Sequence, residues 1–340
     1  MTGAGFIFIL LITQVIELTS SARLREVANQ VAAEHRIIRD ARKVDVNKWG
    51  VPDDAHLLRA PAAFLDDVQA LFVDHGCKGD LMPATKTREL LQFRPGEVTI
   101  WAGYKESYKS TFCNELFTYW AASGIQVAIS SLEMPAAMLL QTTIKQALAT
   151  DEPTPAQIER ALERLSETMT IYDVVGRLPL RHMLAVMMYC AKELECKHFL
   201  LDNLSILLSI DNDRQGEHQQ FIADTLTVAK STGMHVHLVA HLTKPEGGDE
   251  SKFPNGYAIR GTGTAPDLVH NILLIWRNKP KENKLDGNGP VDEAVRRQPD
   301  LQLRVDKQRY WDYRGTMGFW INRRCLRFQE FGFTECAPFL

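Results

Sequence analysis

The sequence lacks the compositional marks of several protein classes. Its 340 residues include six cysteines, but no two form a C-x-x-C pair, so the pattern indicates neither a zinc site nor a disulfide framework. The net charge is −3, so any nucleic acid would have to bind a local basic surface. There is no internal repeat and no low-complexity tract. The composition, 45% hydrophobic and 24% charged, favours a globular protein with reduced thiols in the cytoplasm.

The sequence also lacks a convincing membrane segment. The apolar run at residues 6–12 is shorter than the roughly 20 residues that a span needs, and the first positive charge, Arg23, follows it instead of preceding it. We therefore expect no membrane association, and interpret the run as a buried strand or an extension made by an early start codon. Residues 1–60 form an N-terminal extension in this interpretation, and residues 61–84 form an amphipathic linker helix with a connector.

Beyond residue 93, short apolar segments alternate with longer helical patterns. Such alternation predicts an α/β fold with a mostly parallel central sheet and helices on both faces, here at residues 85–335. Residues 278–299 are polar and predict a loop, and residues 301–306 and 316–321 predict a closing antiparallel pair. The other predicted strands are 97–102, 126–130, 169–173, 198–202, 235–240 and 270–276. The predicted helices are 110–123, 135–148, 155–166, 178–194 and 215–231.

The segment from Trp101 to Thr111 nearly spells the phosphate-loop pattern G-x-x-x-x-G-K-[ST], between a predicted strand and a predicted helix. It departs at Tyr108, which occupies the position of the second glycine. Backbone N–H groups at the helix start would face the phosphates, Lys109 would add a positive charge, and Ser110 would supply a Mg²⁺ ligand. The predicted ATP-binding residues are Gly103, Ser107, Lys109, Ser110, Thr111 and Asp202.

Polar residues follow three other strands at the edge where ligands bind in parallel sheets. Glu133 could deprotonate an attacking water, although an acid in a first helical turn is also favoured by the helix dipole alone. Asp202 ends an apolar strand, as expected of the acid that holds a Mg²⁺-bound water, and turn chemistry alone also places Asp there. His241 could hydrogen bond to the γ-phosphate or be a structural histidine. Their occurrence at successive strand ends favours the ATPase interpretation.

Seven motifs, taken in order, resemble those of the ring-shaped replicative helicases. These are the DnaB-type and Twinkle-type enzymes, including phage helicase-primases, which have a RecA-like core. The resemblance covers roughly residues 61–330, and the ordered set is specific although single motifs are not. The motifs are the segments 93–103, 131–135, 201–204, 239–242, 260–263, 276–279 and 306–309.

The resemblance implies a hexameric ATPase that uses Mg²⁺ and pulls single-stranded DNA through a central channel, moving 5′ to 3′, with primase or loader proteins as partners. It makes Glu133 the catalytic base and His241 the γ-phosphate sensor. Lys307 and Arg309 match the Lys-x-Arg that reaches the neighbouring subunit's γ-phosphate, and Arg277 aligns with an arginine that acts as the finger in some branches. The alternative is that these three cations are ordinary surface charges.

The phosphate loop departs from the family pattern at two positions. Family loops carry glycine at the position of Tyr108 and a glycine or small residue near Glu106. A left-handed backbone at position 108 would cost a non-glycine residue roughly 1 to 2 kcal/mol. We therefore expect weak ATP hydrolysis by the wild type, and tighter ATP binding by the Tyr108→Gly variant than by the wild type. Priming activity is not expected, because the zinc-binding cysteines are missing and the N-terminal region is short.

Two loops are predicted to face DNA in the channel. One follows Asp202 and contains Arg214, and the other runs from Lys244 to Arg260 and includes Lys252. Neither loop interleaves aromatic residues that would stack on bases, and a charged loop can also simply be solvated. The DNA-binding candidates are Arg214, Lys244, Lys252 and Arg260.

The sequence therefore predicts an ATP-dependent replicative DNA helicase of phage or prophage type. Two alternatives stay open. One is a RecA-like recombinase or regulatory ATPase, and the other is a DNA-binding ring subunit whose phosphate loop has decayed.

Overall fold

The computed structural model describes residues 61–65, 68–69, 72, 79–176, 178–208, 215–243, 249–251, 253–254, 259, 265–287, 292–310, 312–332 and 335–340. The chain divides into two compact units, Met1–Cys77 and Lys78–Leu340. In the first unit, residues Pro61–Phe64 form a 3-10 helix, and residues 65, 68–69 and 72 are helical. The predicted extension at residues 1–60 lies outside the described residues.

The second unit is built on a nine-stranded sheet. The strands are β1 Val98–Gly103, β2 Val127–Ser131, β3 Met169–Tyr172, β4 His198–Asp202, β5 His235–His241, β6 Asn271–Arg277, β7 Leu301–Gln308, β8 Gly315–Asn322 and β9 Arg327–Gln329. Their order across the sheet is β3-β2-β4-β5-β1-β6-β7-β8-β9. The strands from β3 to β6 in this order are parallel, and β7, β8 and β9 continue the sheet antiparallel. The predicted mostly parallel sheet is confirmed.

Helices follow most of the parallel strands, and local sequence explains where several begin. Thr154 caps the helix Pro155–Ser166 by accepting from the backbone N–H of Gln157, whose side chain accepts from the Thr154 backbone N–H in return, and Pro155 is the first helical residue. The helices are α1 Lys109–Ala122, α2 Ala136–Leu148, α3 Pro155–Ser166, α4 Leu180–Lys192, α5 Leu204–Leu207, α6 Gln215–Thr232, α7 Ala265–Leu268, α8 Lys279–Leu285 and α9 Glu293–Arg296.

Both faces of the parallel sheet are buried. Alternate residues of β1 contribute to different apolar clusters: Ile100 packs in the cluster that contains Met183 of α4, and Trp101 packs in the one that contains Phe112 of α1. Continuous apolar strands are typical of a sheet covered on both sides. No helix in the described part of the chain is long and apolar enough to cross a membrane.

The sequence-based interpretation of residues 278–299 as a loop was wrong in part. This stretch contains α8 and α9, each capped by a side chain: Asn278 accepts from Lys281 N–H, and Asp292 accepts from Ala294 N–H. The polar composition obscured these helices: α9 is mostly exposed, and α8 buries a charged residue, Lys281, where an apolar one would have given a helical pattern. Strand β9 and the four-residue helices α5 and α7 were not predicted either, since elements this short carry no periodic pattern.

A chain of hydrogen bonds joins buried histidines in the middle of the sheet. The indole N–H of Trp101 donates to Nδ1 of His237 (3.1 Å), so the proton of His237 must be on Nε2. That nitrogen lies 3.1 Å from Nδ1 of His198, whose Nε2 lies 2.9 Å from the Asp80 carboxylate. Each ring therefore donates once and accepts once, which fixes both imidazoles as neutral tautomers.

Both ring nitrogens of His235 have hydrogen-bond partners outside this chain of hydrogen bonds. Its Nδ1 lies 2.6 Å from the Arg94 carbonyl, which can only accept, so Nε2 accepts from the Thr99 hydroxyl (2.8 Å). Burial lowers the pKa of His198, and it lowers the pKa values of His235 and His237 well below the ordinary histidine value. The nearby positive groups Arg94 and Lys197 act in the same direction.

These lowered pKa values predict that acid destabilises the domain. The unfolded chain takes up protons below about pH 6.5 while the folded network stays neutral, so the free energy of unfolding falls as the pH drops. Each histidine contributes up to about 1.4 kcal/mol per pH unit. Denaturant unfolding between pH 7.5 and 5.5 measures this slope. His237→Gln, which keeps one donor and one acceptor without a titratable ring, should flatten it, and an unchanged slope would contradict the neutral network.

Candidate functional site

In-register pairing brings the predicted functional residues to one edge of the sheet. Gly103 at the end of β1 pairs with His241 at the end of β5, and Ser131 at the end of β2 pairs with Asp202 at the end of β4. The backbone ladder continues past the strands, since Leu132 N–H donates to the Asp202 carbonyl (2.6 Å). The carboxyl ends of four adjacent strands therefore form one platform.

The phosphate loop folds tightly between β1 and α1. A Cβ added to Gly103 would lie 2.3 Å from the Ile275 carbonyl oxygen and 2.5 Å from Ser107 Oγ, so only glycine fits there. The Lys109 amine turns into the loop and donates to the Tyr104 carbonyl (2.7 Å) and to the buried Ser107 hydroxyl (3.4 Å). The loop thus encloses a cation, as phosphate recognition requires.

Burial and nearby carboxylates act in opposite directions on Lys109. Burial lowers the pKa of its amine to about 8, and the negative charges of Asp202 and Glu133 oppose that shift. The amine is therefore still mostly protonated near neutral pH. Thr111 lies in the first turn of α1, where its carbonyl accepts from the Gln146 side chain (3.0 Å) and anchors the turn to α2.

The two unusual loop positions both have left-handed backbones. Glu106 has φ 61° and Tyr108 has φ 65°, and Tyr108 directly precedes α1. Position 108 thus has the conformation that favours glycine, as the motif comparison anticipated. Each left-handed non-glycine residue costs roughly 1 to 2 kcal/mol, so the surrounding structure must hold the loop in this shape.

Arg277 and Phe328 brace the loop. The guanidinium carbon of Arg277 lies 4.6 Å from the centroid of the Tyr108 ring, and its NH1 donates to the Glu106 carbonyl (3.1 Å). Glu282 fixes the same guanidinium through Nε (2.7 Å), and Phe328 meets the Tyr108 ring edge-on at 6.1 Å. Arg277 therefore contacts the phosphate loop of its own chain.

Asp202 is suited to hold a divalent cation together with Ser110. Its carboxylate is buried and accepts a hydrogen bond from the Ser110 hydroxyl, while Oδ1 has no protein partner. Burial raises the pKa of Asp202 to about 6. A buried carboxylate oxygen without a partner, next to a hydroxyl, fits Mg²⁺, which prefers oxygen ligands and uses few protein groups beside substrate phosphates. No three His, Cys, Asp or Glu residues in the described segments form a protein-only metal site.

Glu133 and His241 meet beside Asp202, and Asn203 joins them. His241 Nε2 lies 3.3 Å from Glu133 Oε1, and the Asn203 amide nitrogen contacts both atoms, at 2.8 Å from His241. Asp202 was among the site residues predicted from the sequence, but Asn203, the next residue, was not. The available signal was a capping residue at the start of α5, where the Asn203 side chain accepts from Ile206 N–H.

Lys307 and Arg309 lie elsewhere. Lys307 pairs with Ile272 near the start of β6, and its amine donates to the carbonyls of Pro266 (2.7 Å) and Asp267 (3.0 Å) in α7. Arg309 also donates to the Asp267 carbonyl (3.1 Å). The structure thus brings together Lys109, Ser110, Asp202, Glu133 and His241, but not these two cations. The DNA-binding candidates Arg214, Lys244, Lys252 and Arg260 lie outside the described residues.

The chain is similar in sequence to known proteins. A family model described as an AAA domain matches residues 85–247. A DNA helicase/primase of Enterobacteria phage T3 is 25% identical over 236 residues, covering 63% of this chain and 40% of the relative. The chain thus spans less than half the length of this curated relative.

Two solved structures share the fold at 14% identity. One is an ATPase domain, which superimposes with a TM-score of 0.64 over 83% of this chain and 99% of that one. The other is a DnaB-like replicative helicase, solved in a study of its interactions with primase, which superimposes with a TM-score of 0.65 over 92% of this chain and 77% of that one. The resemblance to DnaB-type helicases is confirmed, and the fold is that of their RecA-like ATPase domains.

Substitutions at Tyr108 separate backbone strain from ring packing. Tyr108→Ala and Tyr108→Gly lose the same contacts with Arg277 and Phe328, but only glycine relieves the left-handed backbone. The glycine variant should therefore be more stable by roughly 1 kcal/mol and bind ATP more tightly than the alanine variant. Urea unfolding and nucleotide titration test this order. Equal stabilities would mean that the loop relaxes in the alanine variant and stores no strain.

Proposed function

We propose that this chain is the ATP-hydrolysing motor of a phage-type replicative DNA helicase that moves 5′ to 3′ along single-stranded DNA. The observation that carries the proposal is the convergence of a phosphate-loop lysine, two Mg²⁺-compatible groups, a carboxylate and a histidine at one sheet edge. ATP and Mg²⁺ are the cofactors in this proposal, and the host cytoplasm is the place of action.

Each residue has a distinct role in the proposed reaction. Lys109 and the N–H groups at the start of α1 hold the phosphates, and Ser110 and Asp202 would hold Mg²⁺, which supplies charge neutralisation when bound. Glu133 accepts a proton from the attacking water, since its carboxylate is the partly exposed acid of the cluster. His241 contacts the γ-phosphate and responds to its loss.

The position of Lys307 and Arg309 supports action between subunits. Six residue steps along β6 separate Asn271, beside Gln308, from Arg277 at the phosphate loop. At about 3.3 Å each, this is roughly 20 Å, which is beyond the reach of either side chain. If these cations contact a nucleotide, it is one bound by another copy of the chain. Arg277, tied to its own loop, acts in cis in this proposal.

The proposed partners are single-stranded DNA, further copies of the chain in a hexameric ring, and a primase or loader. The choice of a primase is supported by the T3 relative, which is a DNA helicase/primase, and by the DnaB-like helicase, which was solved in a study of its interactions with primase. Arg214, Lys244, Lys252 and Arg260 are the proposed contacts to DNA. These assignments remain predictions from the sequence.

One alternative has a specific observation in its favour. Two left-handed non-glycine residues in the phosphate loop are compatible with a DNA-binding ring subunit that hydrolyses ATP weakly or not at all. Forked DNA separates the possibilities: a helicase displaces the paired strand only with ATP, a recombinase-type ATPase coats or pairs strands without unwinding, and a silent subunit binds DNA irrespective of ATP. ATP-dependent displacement by the wild type is the expected result.

Two substitutions test the hydrolytic site. Lys109→Ala should abolish ATP turnover because the phosphates lose their cation. Glu133→Gln should retain ATP binding but lower the turnover rate by about 10²- to 10⁴-fold, since only the base is removed. Steady-state hydrolysis and titration with a fluorescent ATP analogue measure the two quantities, with the exposed Glu163→Gln on α3 as control. Unchanged turnover in Lys109→Ala would reject the ATPase proposal.

Mixing experiments test the role of Arg309 between subunits. An arginine finger contributes about 10³- to 10⁵-fold in related phosphoryl transfers, so Arg309→Ala subunits should poison rings formed with wild type. As the fraction of Arg309→Ala subunits rises, the activity should fall more than in proportion to that fraction. Arg297→Ala, at an exposed surface position, is the control and should leave the activity of the mixture unchanged. A linear decline with Arg309→Ala would indicate independently working subunits.

A further inference from the structure

The Asn203 side chain contacts both Glu133 and His241 at the sheet edge. It is almost fully buried, with 1% of its surface exposed. Its orientation is determined, because Oδ1 accepts from the backbone N–H of Ile206 (2.9 Å) at the start of α5. The amide nitrogen must therefore point the other way, towards the carboxylate and the imidazole.

The amide nitrogen also determines the protonation of His241. An amide nitrogen donates two hydrogen bonds and accepts none. The amide nitrogen lies 2.8 Å from His241 Nε2, closer than Glu133 Oε1, which lies 3.3 Å from the same ring nitrogen, so the shorter contact makes Nε2 the acceptor from the amide. The neutral imidazole then carries its proton on Nδ1. The second amide hydrogen is free to donate to Glu133 Oε1.

The turn that begins at Asn203 holds the end of β5 at a second point. Ser205, in α5, accepts from the His241 backbone N–H (3.3 Å). The same turn follows Asp202 directly, so the cation-binding carboxylate, the amide and the α5 cap form one rigid segment. Side chains fixed by packing and capping in this way can hold a reacting group within the small tolerance that catalysis requires.

We propose that Asn203 is a positioning residue for the hydrolysis reaction: its amide orients the Glu133 carboxylate and selects the Nδ1-protonated form of His241. This inference rests on the proposed function, in which Glu133 is the base and His241 the sensor. Because one amide holds both side chains, the base and the sensor take up their positions together.

Asn203→Ser separates positioning from capping. Serine is a good helix N-cap, so the turn is retained, but its hydroxyl is too short to reach Glu133 and His241 together. The matched control is Asn278→Ser, because Asn278 caps α8 in the same way, accepting from Lys281 N–H, and lies outside the site. A purely structural role for Asn203 would make the two variants behave alike.

Kinetics of the full chain give the first readout. Asn203→Ser should lower the maximal ATP turnover by roughly 10- to 100-fold while the affinity for a fluorescent ATP analogue stays within about 2-fold of wild type. Asn278→Ser should leave both quantities unchanged. Unchanged or increased turnover in Asn203→Ser, with Glu133→Gln inactive, would overturn the positioning role and leave the proposed function intact.

The tautomer of His241 gives a readout that does not depend on hydrolysis. In ¹⁵N-histidine NMR spectra, assigned by comparison with His241→Gln, the wild type should show His241 protonated on Nδ1, and Asn203→Ser should shift the proton to Nε2. The same tautomer in both proteins would overturn the inference. A chain that hydrolyses no ATP but shows this shift would reject the proposed function while retaining the arrangement around Asn203.

Discussion

The candidate site depends on the in-register parallel pairing of β2, β4, β5 and β1. The four strands end at the same level, because Ser131 pairs with Asp202 and Gly103 pairs with His241. The residue that follows each strand therefore leaves the sheet at the same edge. A slip of one residue in β4 would turn Asp202 to the opposite face of the sheet and away from Ser110. The packing on the two faces prevents such a slip, because it would also exchange Phe199 and Leu200 between the two different apolar clusters.

The phosphate loop shows how a chain can replace glycine without losing the loop shape. Tyr108 occupies a left-handed position that glycine would occupy without strain, and its ring is held between Arg277 and Phe328. A single cation–π contact or aromatic pair contributes about 0.5 to 1.5 kcal/mol, which is comparable with the cost of the left-handed backbone. The brace thus offsets the strain, and it assigns Arg277 to its own loop.

Much of this architecture could be predicted because strand-forming residues and turn residues carry local signals. The apolar runs that end at Asp202 and His241 identified their strands, and the lysine at the start of α1 identified the loop. Side-chain networks between strands were not predictable. The hydrogen bond between His198 and His237, for example, forms only because β4 and β5 are neighbours in the sheet, and the sequence does not give the order of the strands. Asn203 was missed for the same reason: its role depends on two residues distant in sequence that meet only in the folded sheet.

The most direct test of motor activity is ATP hydrolysis by the purified full chain with Mg²⁺, measured with and without single-stranded DNA. We expect measurable hydrolysis that rises when single-stranded DNA is added, because the braced loop still presents Lys109 and Ser110 beside Asp202 and Glu133. Tight ATP binding without hydrolysis, in the presence and in the absence of DNA, would contradict this expectation and identify the chain as a nucleotide-binding protein without motor activity.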